Sequence, residues 1–177
     1  LIEASKRKVL LKTFSIEKDK GTGDLLMDEP YGTHLRWAKR GYIDAFHSGF
    51  PCATFSRLKF REVEGLPGPV RTKSEPYGKE SNTGREQQAC DDGTIMACRS
   101  ISMANAVADR KTTSKIQRIA TLENPPESEH PEHLSAWELP EMKDFTKGSG
   151  RRVAAFNTCA YQGHLPRGQR QDRKSVV

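Results

Sequence analysis

Two short apolar runs bracket a long helical pattern, and that alternation limits the fold more than any other feature of the chain. The first run, residues 42–47, leads into a Gly49-Phe50-Pro51-Cys52 turn, and the second, residues 117–122, stops at Glu123. Between them, residues 86–110 carry a helical stripe of Ile95, Cys98, Ile101 or Ser102, and Asn105, with Met103, Ala106 and Val107 beside it. Gly93 lies inside this pattern and weakens it by roughly 1 kcal/mol relative to alanine. A shorter helix is predicted over residues 35–40, with Leu35 and Ala38 inward and Gly41 as its C-cap. Further strands are predicted over residues 13–16, ending at Glu17, and over residues 153–156. Strands separated by helices define an α/β fold. Ligands of such sheets bind in the crevice outside the carboxyl ends of the strands, where Glu17, Cys52 and Glu123 all fall.

A length of 177 residues suits one domain with its own core. Hydrophobic residues make up 34% and charged residues 29%, with 14 Gly and 10 Pro, so the core is lean and the loops are long. Residues 58–84 are the clearest such loop, and loops of that length are uncommon unless functional. The net charge of +6 favours an acidic partner. Much of the excess lies in Arg167, Arg170, Arg173 and Lys174, so the chain divides into a domain over 1–165 and a basic tail over 166–177. The tail reads as a solvated arm or, more sharply, as an arm for phosphates.

Other patterns narrow the function. No apolar run approaches the ~20 residues of a membrane span. No secretory signal opens the sequence, and Leu1 in first place reads as a processed product or a piece of a longer chain. Cys52, Cys90, Cys98 and Cys159 form no C-x-x-C pair, which points to free thiols in a reducing compartment: nucleus, cytoplasm or organelle. His130 and His133, with Glu129 and Glu132, read as a polar loop and not as a metal site. Trp37 and Trp137 read as packing residues, with Trp137 pinning a loop to the body. No phosphate-binding P-loop and no serine nucleophile elbow occurs.

The chemistry-bearing pair is Cys52 and Glu123. A cysteine after proline, at the end of an apolar run, is presented on a tight turn, and a carboxylate at another strand end can face it. A thiolate to add and an acid to protonate are the minimal equipment for attacking an electron-poor aromatic ring. By residue type alone, Cys52 also reads as a small buried hydrophobe and Glu123 as a solvated strand-end charge.

The segments Pro51-Cys52-Ala53-Thr54-Phe55-Ser56 and Leu122-Glu123-Asn124-Pro125, in this order and spacing, resemble the cytosine-specific DNA methyltransferases that modify carbon 5. Closer still is a divergent methylase-like group of phage and mobile elements. Its other marks are a Gly-Pro-Val-Arg segment, here Gly68 to Arg71, and a late Cys-x-Tyr, here Cys159 to Tyr161. The resemblance covers roughly residues 13–165. It implies a Rossmann-like α/β sheet, S-adenosylmethionine as methyl donor and DNA as partner, with the target base flipped out of its duplex. It casts Cys52 as nucleophile and Glu123 as ring acid, with Arg57 near enough in sequence to favour the thiolate. Glu17, Asp24 and Pro51 fall to the cofactor, and Ser56, Arg57, Arg71 and Asn124 to the substrate.

The chain also departs from that pattern. Nothing before Phe14 supplies the first strand and glycine-rich Phe-x-Gly-x-Gly turn that support the methionine part of the cofactor, and Gly21-Thr22-Gly23 comes too late. The Gln-x-Arg-x-Arg motif is missing, and no sizeable target-recognition domain fits. Two functions therefore stand: a carbon-5 methyltransferase domain, or a catalytically inactive methyltransferase-like fold serving as a structural or interaction subunit of a protein or protein–nucleic acid assembly.

Overall fold

The structure, a computed structural model, describes residues 12–16, 23–60, 67–109, 118–126, 129–148, 150–157 and 172–176. Among these, helices α1 (Asp28–Arg40), α2 (Gly84–Ala108) and α3 (Pro140–Thr146) accompany strands β1 (Ala45–Ser48), β2 (Ile119–Asn124), β3 (Val153–Asn157) and β4 (Asp172–Val176). Short 3-10 turns span Ala53–Phe55, Arg57–Phe60 and Ala136–Glu138. The fold is mixed α/β. Its sheet has the order β1-β2-β4-β3, with β1 parallel to β2, and β4 antiparallel to both β2 and β3.

The β1–α2–β2 unit is the part that positions the site. Thr83 caps α2 through a reciprocal capping box with Glu86. Thr83 N–H and hydroxyl both reach the Glu86 carboxylate, each at 2.8 Å. These bonds hold that carboxyl below its ordinary pKa. The helix then runs back along β1. Met103 and Val107 near its end pack with Ala38 and Ile43, ahead of the strand. Ser100 bonds Ser48 at 2.8 Å, and Ala97 packs with Phe50, Phe55 and Leu122, beyond the strand. A crossover of this kind returns the chain to a parallel neighbour, so β1 and β2 end on the same edge in the register Ser48↔Leu122.

The buried face of α2 is Cys90, Gly93, Ala97, Ser100, Met103, Ala104 and Val107, not the predicted stripe, and Ile95 is exposed. Small residues at 93, 97, 100 and 104 let the helix backbone come close to the sheet. That gain outweighs the burial of one isoleucine. The helix predicted over 35–40 begins earlier, at Asp28, and ends as expected at Gly41, whose φ of 83° turns the chain so that the Tyr42 N–H reaches the Trp37 carbonyl at 3.0 Å.

Three strand expectations are corrected. Residues 12–16 form no strand; Phe14 lies against the rings of His34 and Trp37, at 6.0 and 6.3 Å, on the outside of α1. β2 runs on through Glu123 and Asn124 because both continue the pairing, opposite Ser175 and Lys174. The basic tail is not wholly a solvated arm: its residues Asp172–Val176 form β4, hydrogen-bonded on both sides within the sheet.

Candidate functional site

The site is built where β1 and β2 end. Phe50 follows β1 into the core, and its carbonyl accepts the Asn124 side-chain N–H at 3.1 Å, tying the β1 exit to the end of β2. Pro51 and Cys52 are the next residues and are exposed. Cys52 begins a 3-10 turn, its carbonyl accepting the Phe55 N–H at 3.0 Å. Phe55 returns to the core. The thiol therefore stands on a loop anchored at both ends by buried phenylalanines, as its place after proline suggested.

Three buried polar side chains hold that loop. Asn124 is the first, and Trp137 in turn donates to the Asn124 carbonyl at 3.2 Å, so the tryptophan does pin a loop to the body. His133 is the second: its Nε2 lies 2.9 Å from the Phe55 carbonyl. A carbonyl only accepts, so Nε2 carries a proton, and Nδ1 is buried with no hydrogen-bond partner among the described residues. Arg71 is the third, with its guanidinium 4.1 Å from the Phe55 ring centroid. It donates to the Pro76 carbonyl at 3.0 Å, the Thr94 hydroxyl at 3.3 Å and the Cys90 carbonyl at 2.7 Å. Burial pushes the Arg71 pKa down, opposed by Cys90 and Asp91. Arg71, assigned to the substrate on sequence, is thus 1% exposed and packed beneath the cysteine loop.

Glu123 arrives at the same edge from β2. The odd-numbered residues of β1 and β2 face away from α2, and Ala45, His47 and Ile119 are exposed there. On that face the Glu123 carboxylate lies 3.6 Å from His47 Nε2, and His47 Nδ1 lies 2.8 Å from the Thr121 hydroxyl. Ser56 is half-buried, and its hydroxyl accepts the Leu58 N–H at 3.3 Å at the start of the turn that exposed Arg57 opens. Pro51, Cys52, Ser56, Arg57, Arg71, Glu123 and Asn124 therefore gather around one loop and one strand end.

Asp24 has a different setting: its carboxylate accepts the Leu26 N–H at 2.9 Å in the turn leading into α1, which Arg99 of α2 fastens through the Leu25 carbonyl and Asp28. Glu17 and the Cys159 to Tyr161 segment lie outside the described residues.

Sequence reasoning missed two contributors. His47 differs from neighbouring strand residues only in type, and its value depends on register with Thr121. His133 was legible as a loop residue, yet its hold on Phe55 spans the chain and has no local signal. Among the described residues, no group of three or more His, Cys, Asp or Glu side chains could hold a metal ion, and no helix is long and apolar enough to cross a membrane. No family model, curated protein or solved structure matches the chain.

Proposed function

We propose that the chain is a methyltransferase-like domain acting at carbon 5 of cytosine in DNA, with S-adenosylmethionine as donor, Cys52 as nucleophile and Glu123 as ring acid. One observation carries this reading: β1 and β2 are parallel neighbours, so the Pro51-Cys52 turn follows β1 at the same end of the sheet where Glu123 lies near the end of β2, and the Asn124–Phe50 bond joins the two. In the proposed reaction the Cys52 thiolate adds to the ring carbon next to carbon 5 while Glu123 protonates a ring nitrogen. Carbon 5 becomes nucleophilic and takes the methyl group from the donor sulfonium, which leaves as S-adenosylhomocysteine. Loss of the carbon-5 proton to a base then expels the thiolate, and the ring nitrogen returns its proton to Glu123. A Rossmann-like sheet is part of the proposal; β1, β2 and β3 share one direction, with β4 reversed between β2 and β3, which supports it.

The test is methyl transfer from labelled S-adenosylmethionine to DNA. Cys52→Ser should abolish transfer while leaving the circular dichroism spectrum and melting temperature unchanged; transfer at the native rate would sink the assignment. A second reading, an inactive fold in a larger assembly, draws on β1 being a sheet edge among the described residues, with no strand at residues 12–16 to extend the sheet towards a cofactor. Calorimetric titration with S-adenosylmethionine separates the two readings. Micromolar binding favours the enzyme, and none up to millimolar concentration favours the assembly subunit.

A further inference from the structure

A glutamate in water is ionised at neutral pH, so a glutamate that protonates a ring needs a proton source at its side. β1 supplies one. His47 lies directly opposite Thr121 in the parallel register, and Glu123 is two residues further along the same face. The Thr121 hydroxyl, 2.8 Å from Nδ1, anchors the ring and leaves Nε2 aimed at the Glu123 carboxylate, 3.6 Å away. The His47 side chain is 60% exposed and that of Glu123 only 16%, so the imidazole has open access to water and the carboxylate has little. Among the described residues Glu123 is the acidic partner of His47. Helix α2 packs on the other face of the sheet, through Ser48 and Leu122.

We propose that His47 is a positioning and proton-relay residue for Glu123. The inference rests on Glu123 being the ring acid of the proposed reaction. Before attack, imidazolium His47 passes its Nε2 proton to the Glu123 carboxylate, and the acid so formed protonates the ring nitrogen. One N–H bond breaks and one O–H bond forms. Neutral His47 keeps its Nδ1–H on the Thr121 hydroxyl, which can accept it. When the thiolate leaves, the ring nitrogen returns its proton to Glu123, and Glu123 returns it to Nε2. Thr121 occupies Nδ1, so Nε2 is the nitrogen nearest Glu123, and no oxidant or further reactant is required.

Two measurements on the full chain test this. Nitrogen-15 spectra of the imidazole should show neutral His47 as the Nδ1–H tautomer, and Thr121→Val should shift it towards Nε2–H. Methyl transfer should fall about a hundredfold in His47→Gln, the range of positioned acid–base catalysis. KM for DNA should stay unchanged. An unchanged tautomer in Thr121→Val, or native kinetics in His47→Gln, overturns the relay while leaving Cys52 and Glu123 in place. No transfer by the native chain, with the tautomer shift intact, overturns the methyltransferase reading and the relay with it, leaving only an ion pair on a strand face.

Discussion

The thiols of this chain differ by what surrounds them, and so does their chemistry. Cys52 is exposed on its turn, Cys98 is half-buried on α2, and Cys90 is fully buried. Burial pushes the Cys98 pKa up, and the Glu141 carboxylate adds to the rise by repelling a thiolate. A raised pKa means less thiolate at neutral pH and slower alkylation. Among the thiols of the described residues, peptide-resolved mass spectrometry after iodoacetamide at neutral pH should therefore find Cys52 modified first, Cys98 later and Cys90 only on unfolding. Glu141→Gln should speed Cys98 and leave Cys52 alone. Equal rates at Cys52 and Cys98 would contradict the environments described.

At the scale of elements, α2 shows how a local penalty serves a tertiary contact. Gly93 costs a helix about 1 kcal/mol relative to alanine. A Cβ at this position would lie 3.0 Å from the Thr54 hydroxyl and 3.5 Å from the Arg71 guanidinium. The glycine lets the helix pass close to the loop that carries Cys52, and the Thr54 hydroxyl is buried there without a partner. Gly93→Ala in a Thr54→Ala background should stabilise by about 1 kcal/mol in urea denaturation, the full gain in helix propensity. In the native background the gain should shrink or reverse. Equal gains in both backgrounds would show that Thr54 exerts no steric constraint.

At the scale of the molecule, the sheet is closed by residues far apart in sequence. β4 is bonded to β2 on one side and β3 on the other, so the last residues of the chain link the parallel pair to β3. Deleting residues 166–177 should therefore do more than remove charge. It strips the ladder partner from Leu122, Glu123 and Asn124, and the melting temperature of the truncated chain should fall by several degrees or the transition should lose cooperativity. A native melting curve would return the segment to the role of a dispensable arm. Replacing Arg167 and Arg170 by Gln should leave the fold intact.

By itself the sequence determined the alternation of strand and helix, the glycine stop after α1, the Pro51-Cys52 turn and the anchoring role of Trp137, because each follows from local periodicity or backbone chemistry. It could not choose the inward face of α2, since that depended on how closely the helix approaches the sheet and not on which side chains are most apolar. It could not make a strand of residues 172–176, whose charged composition is overridden by backbone partners on both sides. Nor could it turn Arg71 inward, put His133 on the Phe55 carbonyl or set His47 against Glu123. Those contacts join residues that only the packing of β1, α2 and β2 brings together, and so only the tertiary structure decided what surrounds the cysteine and the glutamate.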